Sequence, residues 1–183
     1  MKIEDNFLDQ KIFDELQAFM IGWNFDWYYN AGANIEYVDS DGVISVIPDP
    51  LNNLNFMFFH VFYLQDRPCS PCSSNFDNLI PILDKILPMS LWRIKANLLT
   101  RSSNIIENEF HVDIGVISEE KLKQWTTSIF YMNTNNGYTE FEDGTKVESV
   151  ANRLVKFPAN LKHRGTSCTD EKTRVVINFN YFK

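Results

Sequence analysis

The second half of the chain is a succession of short β-type segments with no long helix between them, and that pattern leaves few folds open. "LWRIKANLLT" (91–100), "EFHVDIGVI" (109–117), "TTSIFYMNT" (126–134), "YTEFED" (138–143), "ESVANRLVKFP" (148–158) and "TRVVINFNYF" (173–182) are each rich in β-branched and aromatic residues and read as strands. Turn chemistry such as "TNNG", "EDGT" and "PANLKHRG" separates them. Strands in series without intervening helices argue for an antiparallel sandwich or jelly roll. "SEEKLKQW" (118–125) is predicted to form one helical turn or two, with Ser118 as cap.

The first half has a different texture. Phe7, Leu8, Ile12, Phe13, Leu16, Phe19 and Met20 recur at helical spacing, which predicts an amphipathic helix over 5–21. "NFDWYYN" (24–30) is an extended aromatic segment, and residues 31–53, rich in Gly, Asn, Asp and Pro, are loops with short strands. "NFMFFHVFYL" (55–64) is a buried strand. Phe76, Leu79, Ile80, Leu83, Ile86 and Leu87 predict a second helix, in which Pro81 is tolerable only near the first turn and which Pro88 closes. With 183 residues the chain is long enough for one domain with a core and short for two. The expectation is a single domain, 1–183, with helical and strand support in 1–90 and the β core in 91–183.

A formal net charge of −7 repels phosphate backbones and argues against a nucleic-acid partner. No apolar run reaches the roughly 20 residues of a membrane span, and "MKIEDNFLDQ" lacks a signal-peptide core. The expectation is a cytoplasmic protein with reduced thiols and no membrane partner. Cys69 and Cys72 form a lone C-x-x-C in "RPCSPCSS", with Cys168 apart. No further ligands stand at zinc-site spacing and no βαβ context suits a redox pair, so these read as structural or surface thiols.

Against this background "EFHVDIG" (109–115) stands out. It puts one of three histidines two positions from an aspartate, and on a strand i and i+2 point to the same side. A histidine, a carboxylate and a second, remote histidine form the facial triad of non-haem Fe(II) oxygenases, which leaves three coordination positions open. His163, in "NLKHRGT", is the candidate second histidine; His60 lies mid-strand among Phe58, Phe59 and Phe62. A chance H-x-D is expected roughly 0.2 times in a chain of this composition, so the pair alone also reads as an ordinary sheet histidine. Arg174 adds weight. In "RVVINFNYF" alternation puts Arg174, Val176 and Asn178 on one face and Val175, Ile177 and Phe179 on the other. An arginine in an apolar strand is costly unless an anion meets it, and a guanidinium suits a carboxylate. A surface salt bridge at an edge strand is the alternative.

"HVD", then "NRLVKFPANLKHRG", then "RVVINFNYF" resembles the Fe(II)/2-oxoglutarate-dependent oxygenases, in particular the prolyl-4-hydroxylase-like branch, over roughly residues 91–182. "GYTEFEDG" and "NRLVKF" sit where that branch carries related strands, and the aromatic first half is similar to small members from phages and marine microbes. The resemblance implies a mainly β fold with flanking helices: a double-stranded β-helix, jelly-roll and cupin-like, with N-terminal helices packed on the sheet. It implies His111, Asp113 and His163 as ligands of Fe(II), and Arg174 as the anchor of 2-oxoglutarate. Tyr131 would also reach the distal carboxylate, with Asn97 and Leu99 lining the pocket; Leu99 falls where relatives often carry a second tyrosine. The implied reaction consumes 2-oxoglutarate and dioxygen and hydroxylates a C–H bond of a peptidyl or free amino-acid substrate. Arg164 is expected to face the mouth of the site or solvent. Two polar stretches, 65–75 and 100–109, are candidate covers. Rival readings are a nucleic-acid-demethylating dioxygenase with the same metal site, a non-catalytic jelly-roll module binding metal or sugar, and a structural assembly protein in which the triad is coincidental.

Overall fold

The computed structural model describes residues 1–30, 37–39, 44–46, 56–64, 67–68, 72–115 and 117–183. The expectations for Cys69, and for the greater part of 31–55 and 65–71, fall outside the described residues. In chain order the elements are β1 (Lys2–Glu4), α1 (Gln10–Ile21), β2 (Tyr28–Asn30), β3 (Tyr37–Asp39), β4 (Ile44–Val46), β5 (Met57–Leu64) and β6 (Arg67–Pro68). A 3-10 segment, Cys72–Leu79, leads into α2 (Ile80–Ile86) and β7 (Ser90–Thr100). Then come α3 (Glu119–Leu122), β8 (Trp125–Tyr131), β9 (Tyr138–Phe141), β10 (Lys146–Glu148), β11 (Arg153–Pro158), β12 (His163–Gly165) and β13 (Thr173–Phe182).

Two sheets face each other in the jelly-roll manner expected from the strand pattern. The large one runs β1-β11-β8-β13-β7-β5-β2, with β6 beside β5; the small one runs β10-β9-β12. Strand β13 is central, antiparallel to β7 on one side and β8 on the other. Its alternation separates two environments, as its sequence predicts. Val175, Ile177 and Phe179 join Ile94, Ala96, Phe130, Met132 and Leu154 under α1 (Phe13, Leu16, Met20) and α2 (Ile82, Ile86). Val176 instead joins Ile129, Tyr131, Phe141, Val147, Val155 and Phe157 between the sheets. Each fully buried Phe or Ile of these clusters contributes about 1.5–3 kcal/mol.

The helices start later than their apolar spacing alone predicts. Helix α1 begins at Gln10 because Asp9 caps it, accepting from the Lys11 amide at 3.0 Å. Residues before it are held instead by Asn152, whose side chain bonds both the amide and the carbonyl of Leu8 (2.8 and 2.9 Å). The helix stops at Gly22, where a Cβ would meet the Ala18 carbonyl at 2.5 Å. Pro81 sits in the first turn of α2, the place where a missing N–H costs nothing, and the left-handed Leu87 (φ 48°) ends that helix before Pro88.

One predicted strand is absent. Among the described residues of 109–117 no ladder forms: His111 alone pairs, in an isolated bridge to His163, and the chain bends at Asp113. A second isolated bridge pairs Glu107 with Thr166, so the segment meets the β12 region at separated points instead of residue by residue. The stretch 100–109, a candidate cover, is likewise tied down. Arg101, Ser102 and Asn108 donate backbone bonds to Lys172, Cys168 and Gly165, and Ser167 donates to Ile106.

Candidate metal centre and anion pocket

His111 and His163 are brought together by the backbone. Each donates its amide to the other's carbonyl at 3.0 Å, and their ring centroids lie 5.0 Å apart. Both imidazoles are oriented the same way. Nδ1 of His111 lies 3.0 Å from the Glu109 carbonyl, and Nδ1 of His163 lies 3.3 Å from that of Leu161. A carbonyl only accepts, so each Nδ1 carries the proton and each Nε2 presents a lone pair. Nε2 of His163 is buried with no hydrogen-bond partner among the described residues, a donor atom that suits a metal cation. The rings of Phe141 and Phe157 pack around it.

Asp113 completes the cluster. One ligand atom from each of His111, Asp113 and His163 falls within 4.8 Å of the others. The carboxylate arrives by the bend at Asp113 rather than by strand alternation. It is held by Arg93 (Nη2 to Oδ1, 3.1 Å) and by the Asn180 amide (Nδ2 to Oδ2, 2.9 Å), with Asn178 Nδ2 at 3.5 Å. Burial works to raise its pKa. Arg93, His163, His111 and the Asn180 bond outweigh burial and hold it well below the usual carboxylate range, so Asp113 is ionised. Burial pushes His163 down to about 4, with His111 assisting and Asp113 opposing, so its imidazole is neutral. Two imidazole nitrogens and one carboxylate suit a divalent first-row transition metal.

Arg174, 2% exposed, lies farther along the same face of β13. Its Nε donates to Ser149 Oγ (2.8 Å) and Nη2 to Thr139 Oγ1 (3.2 Å). The Tyr131 ring lies beside it, 5.8 Å from centroid to guanidinium carbon, and the Tyr131 hydroxyl donates to the same Thr139 oxygen at 2.9 Å. Among the described residues no carboxylate pairs with Arg174. Burial lowers its pKa, and a buried guanidinium with spare donors and no counter-ion is a site for an anion. Gly137 makes the space: a Cβ there would come within 2.6 Å of Arg174 Cδ. Leu99 is buried on β7 directly across from Arg174, and Asn97 follows across from Val176 with its Oδ1 buried and unpartnered.

The residues singled out by sequence thus lie on one inter-sheet face or at its edge. Arg164 does something else. It ion-pairs with Glu140 and Glu107 (both 2.6 Å) and stacks on Phe110 at 4.5 Å, tying the 107–110 segment to β9 and β12. Sequence reasoning missed Arg93 and Lys95, although they alternate with Ile94 and Ala96 and so mark a polar face on β7. It also missed Thr139 and Ser149, for which no sequence signal existed. His60 is buried outside the site, with Nδ1 2.6 Å from the Asp26 carbonyl. No helix among the described residues is long and apolar enough to cross a membrane.

No protein-family model matches the sequence, and no curated protein does. Solved structures match the fold. A prolyl hydroxylase from Trichoplax adhaerens, solved with a hypoxia inducible factor oxygen degradation domain peptide fragment, gives a TM-score of 0.59 at 13% identity, over 99% of this chain and 82% of that one. A Pseudomonas putida prolyl-4-hydroxylase gives 0.54 at 12%, over 100% and 92%. The non-heme alpha ketoglutarate dependent epimerase SnoN from nogalamycin biosynthesis gives 0.63 at 10%, over 99% and 77%. The chain therefore has the double-stranded β-helix fold of 2-oxoglutarate/Fe(II) oxygenases.

Proposed function

We propose that the protein is an Fe(II)- and 2-oxoglutarate-dependent dioxygenase that hydroxylates a C–H bond, prolyl-4-hydroxylase-like in its metal and cosubstrate machinery, acting on a peptidyl or free amino-acid substrate. The observation that carries this reading is the pairing of two features along β13: a His-Asp-His cluster within 4.8 Å, held through Asn180, and the buried Arg174, with which no carboxylate pairs among the described residues. A metal site alone has no use for such an arginine.

The donor set fits the metal. His111 and His163 would supply Nε2 and Asp113 a carboxylate oxygen; the orphaned Nε2 of His163 is the atom that a metal would satisfy. Iron bound there, with 2-oxoglutarate and dioxygen, supplies the oxidative chemistry that side chains cannot. The chain's own residues do the rest. Glu109 and Leu161 hold the imidazole tautomers through their carbonyls. Arg93 and Asn180 hold Asp113 ionised and oriented. Arg174 takes the distal carboxylate of the cosubstrate, with Tyr131 and Thr139 as a hydroxyl relay at its side. Leu99, across from Arg174, and Asn97, across from Val176, line the pocket in this reading. The free, buried thiol of Cys168 suits a reducing compartment, and we place the enzyme in the cytoplasm.

The test is iron-dependent conversion of 2-oxoglutarate to succinate. His111→Ala and Asp113→Ala are expected to abolish it with the circular dichroism spectrum retained, and Arg174→Ala to raise the KM for 2-oxoglutarate at least tenfold. Undiminished turnover in either ligand variant would refute the assignment.

A further inference from the structure

Strand β7 alternates between two chemistries. Ile94, Ala96 and Leu98 face the helical core. Arg93, Lys95, Asn97 and Leu99 face the other way, and their Cα partners on β13 are Asn180, Asn178, Val176 and Arg174. This row connects the two ends of the site. Leu99 lies across from the anion-binding Arg174, and Arg93 is committed to Asp113 at 3.1 Å. Lys95 stands between them. It is partly buried, with Val61 across from it on β5 and its ammonium 5.3 Å from the Phe59 ring centroid. Among the described residues it makes no ion pair. Burial, reinforced by Arg93 and opposed by Asp113, holds its pKa down to about 8.

Two acceptors beside it are also unsatisfied. Asn178, directly across from Lys95, turns its amide nitrogen toward Asp113 and leaves Oδ1 buried without a partner. Asn97, the next residue on the same face of β7, has a buried and unpartnered Oδ1 as well. Side chains at opposed and i+2 positions of one sheet face lie within reach of a single small ligand. A cation flanked by two orphan acceptors calls for a group that is anionic and carries an N–H or O–H donor close by.

We propose that the primary substrate is a free amino acid, and that Lys95 binds its carboxylate while Asn97 and Asn178 accept from its ammonium. This rests on the dioxygenase reading, in which the metal cluster and Arg174 already account for both ends of 2-oxoglutarate and leave Lys95 for the second substrate. A residue within a peptide has lost both charges that this patch would recognise, so the choice is for the free acid.

The test uses protein loaded with Zn(II) and saturating 2-oxoglutarate, labelled with [13Cε]lysine; Lys95→Met identifies the Lys95 resonance. Free L-amino acids are titrated singly, then the C-terminal amide of any that binds. At least one free amino acid is expected to move the Lys95 signal saturably. Its amide should bind at least tenfold more weakly, and so should the amino acid to Lys95→Met, which keeps wild-type affinity for 2-oxoglutarate. The proposal is overturned if no free amino acid moves the signal, if acid and amide bind alike, or if Lys95→Met instead loses 2-oxoglutarate. The acid-against-amide comparison on wild-type protein decides the matter should the variant not fold. Failure of the wild type to bind 2-oxoglutarate, seen before any amino acid is added, would sink the dioxygenase reading and this inference with it.

Discussion

Replacing Lys95 with Met should make the protein more stable. The side chain keeps its length and its contact with Phe59 but loses a charge that burial penalises. The free lysine pKa of 10.5 is held down to about 8 in the folded protein. Each unit of pKa is worth about 1.4 kcal/mol, so keeping the ammonium charged in the fold costs on the order of 3 kcal/mol. Solvent reaching the partly buried side chain reduces this to about 2 kcal/mol. The sign follows from proton binding. Between about 8 and 10.5 the unfolded chain holds the proton more tightly than the folded one, so wild-type stability rises with pH across that window. The penalty is therefore full below pH 8 and vanishes above 10.5. Urea unfolding at pH 7 should show Lys95→Met more stable by about 2 kcal/mol, equivalent to a Tm gain of roughly 4–8 °C. At pH 9.5 the gain should fall to less than half. A variant less stable than wild type at pH 7, or a gain independent of pH, would refute the account of Lys95 as a charge kept for binding at a cost in stability.

Two other perturbations probe the scaffold. Arg164→Ala removes the ion pairs to Glu107 and Glu140 that tie the segment before His111 to the small sheet; Zn(II) affinity by calorimetry should fall about 10–100-fold, and unchanged affinity would show that His111 is held by other means. Asn152 combines φ 60° with two buried bonds to Leu8; Asn152→Ala should cost about 2–4 kcal/mol in urea unfolding and Asn152→Gly, which tolerates that backbone, clearly less, whereas equal losses would mean that the backbone conformation carries no cost.

Much of this arrangement was legible in the chain. The alternation in "RVVINFNYF" separates core from cavity residue by residue, because a strand buried on two unlike faces must write both into its sequence. His111, Asp113, His163 and Arg174 were named from the chain, and the structure brings ligand atoms of the first three within 4.8 Å of one another and buries Arg174 on β13. The strand expected over 109–117 failed because β propensity describes the segment and not its partners: the segment is bridged only at Glu107 and His111, and it bends at Asp113, whose carboxylate is held by Arg93 and Asn180. Arg93 and Lys95 were visible as alternating charges in "LWRIKANLLT", a signal as strong as that of Arg174. Thr139 and Ser149 were not, since only the pairing of β9 with β10 and the turn beyond bring two ordinary hydroxyls to the Arg174 guanidinium.

The central claim, one cavity holding a ferrous ion and 2-oxoglutarate together, is tested most directly by anaerobic optical titration. Adding Fe(II) and then 2-oxoglutarate to the purified protein should develop a weak visible charge-transfer band that saturates at one equivalent of iron, is absent in Asp113→Ala, and needs higher 2-oxoglutarate in Arg174→Ala. A protein that binds iron without developing that band, or develops it equally in Asp113→Ala, would contradict the account.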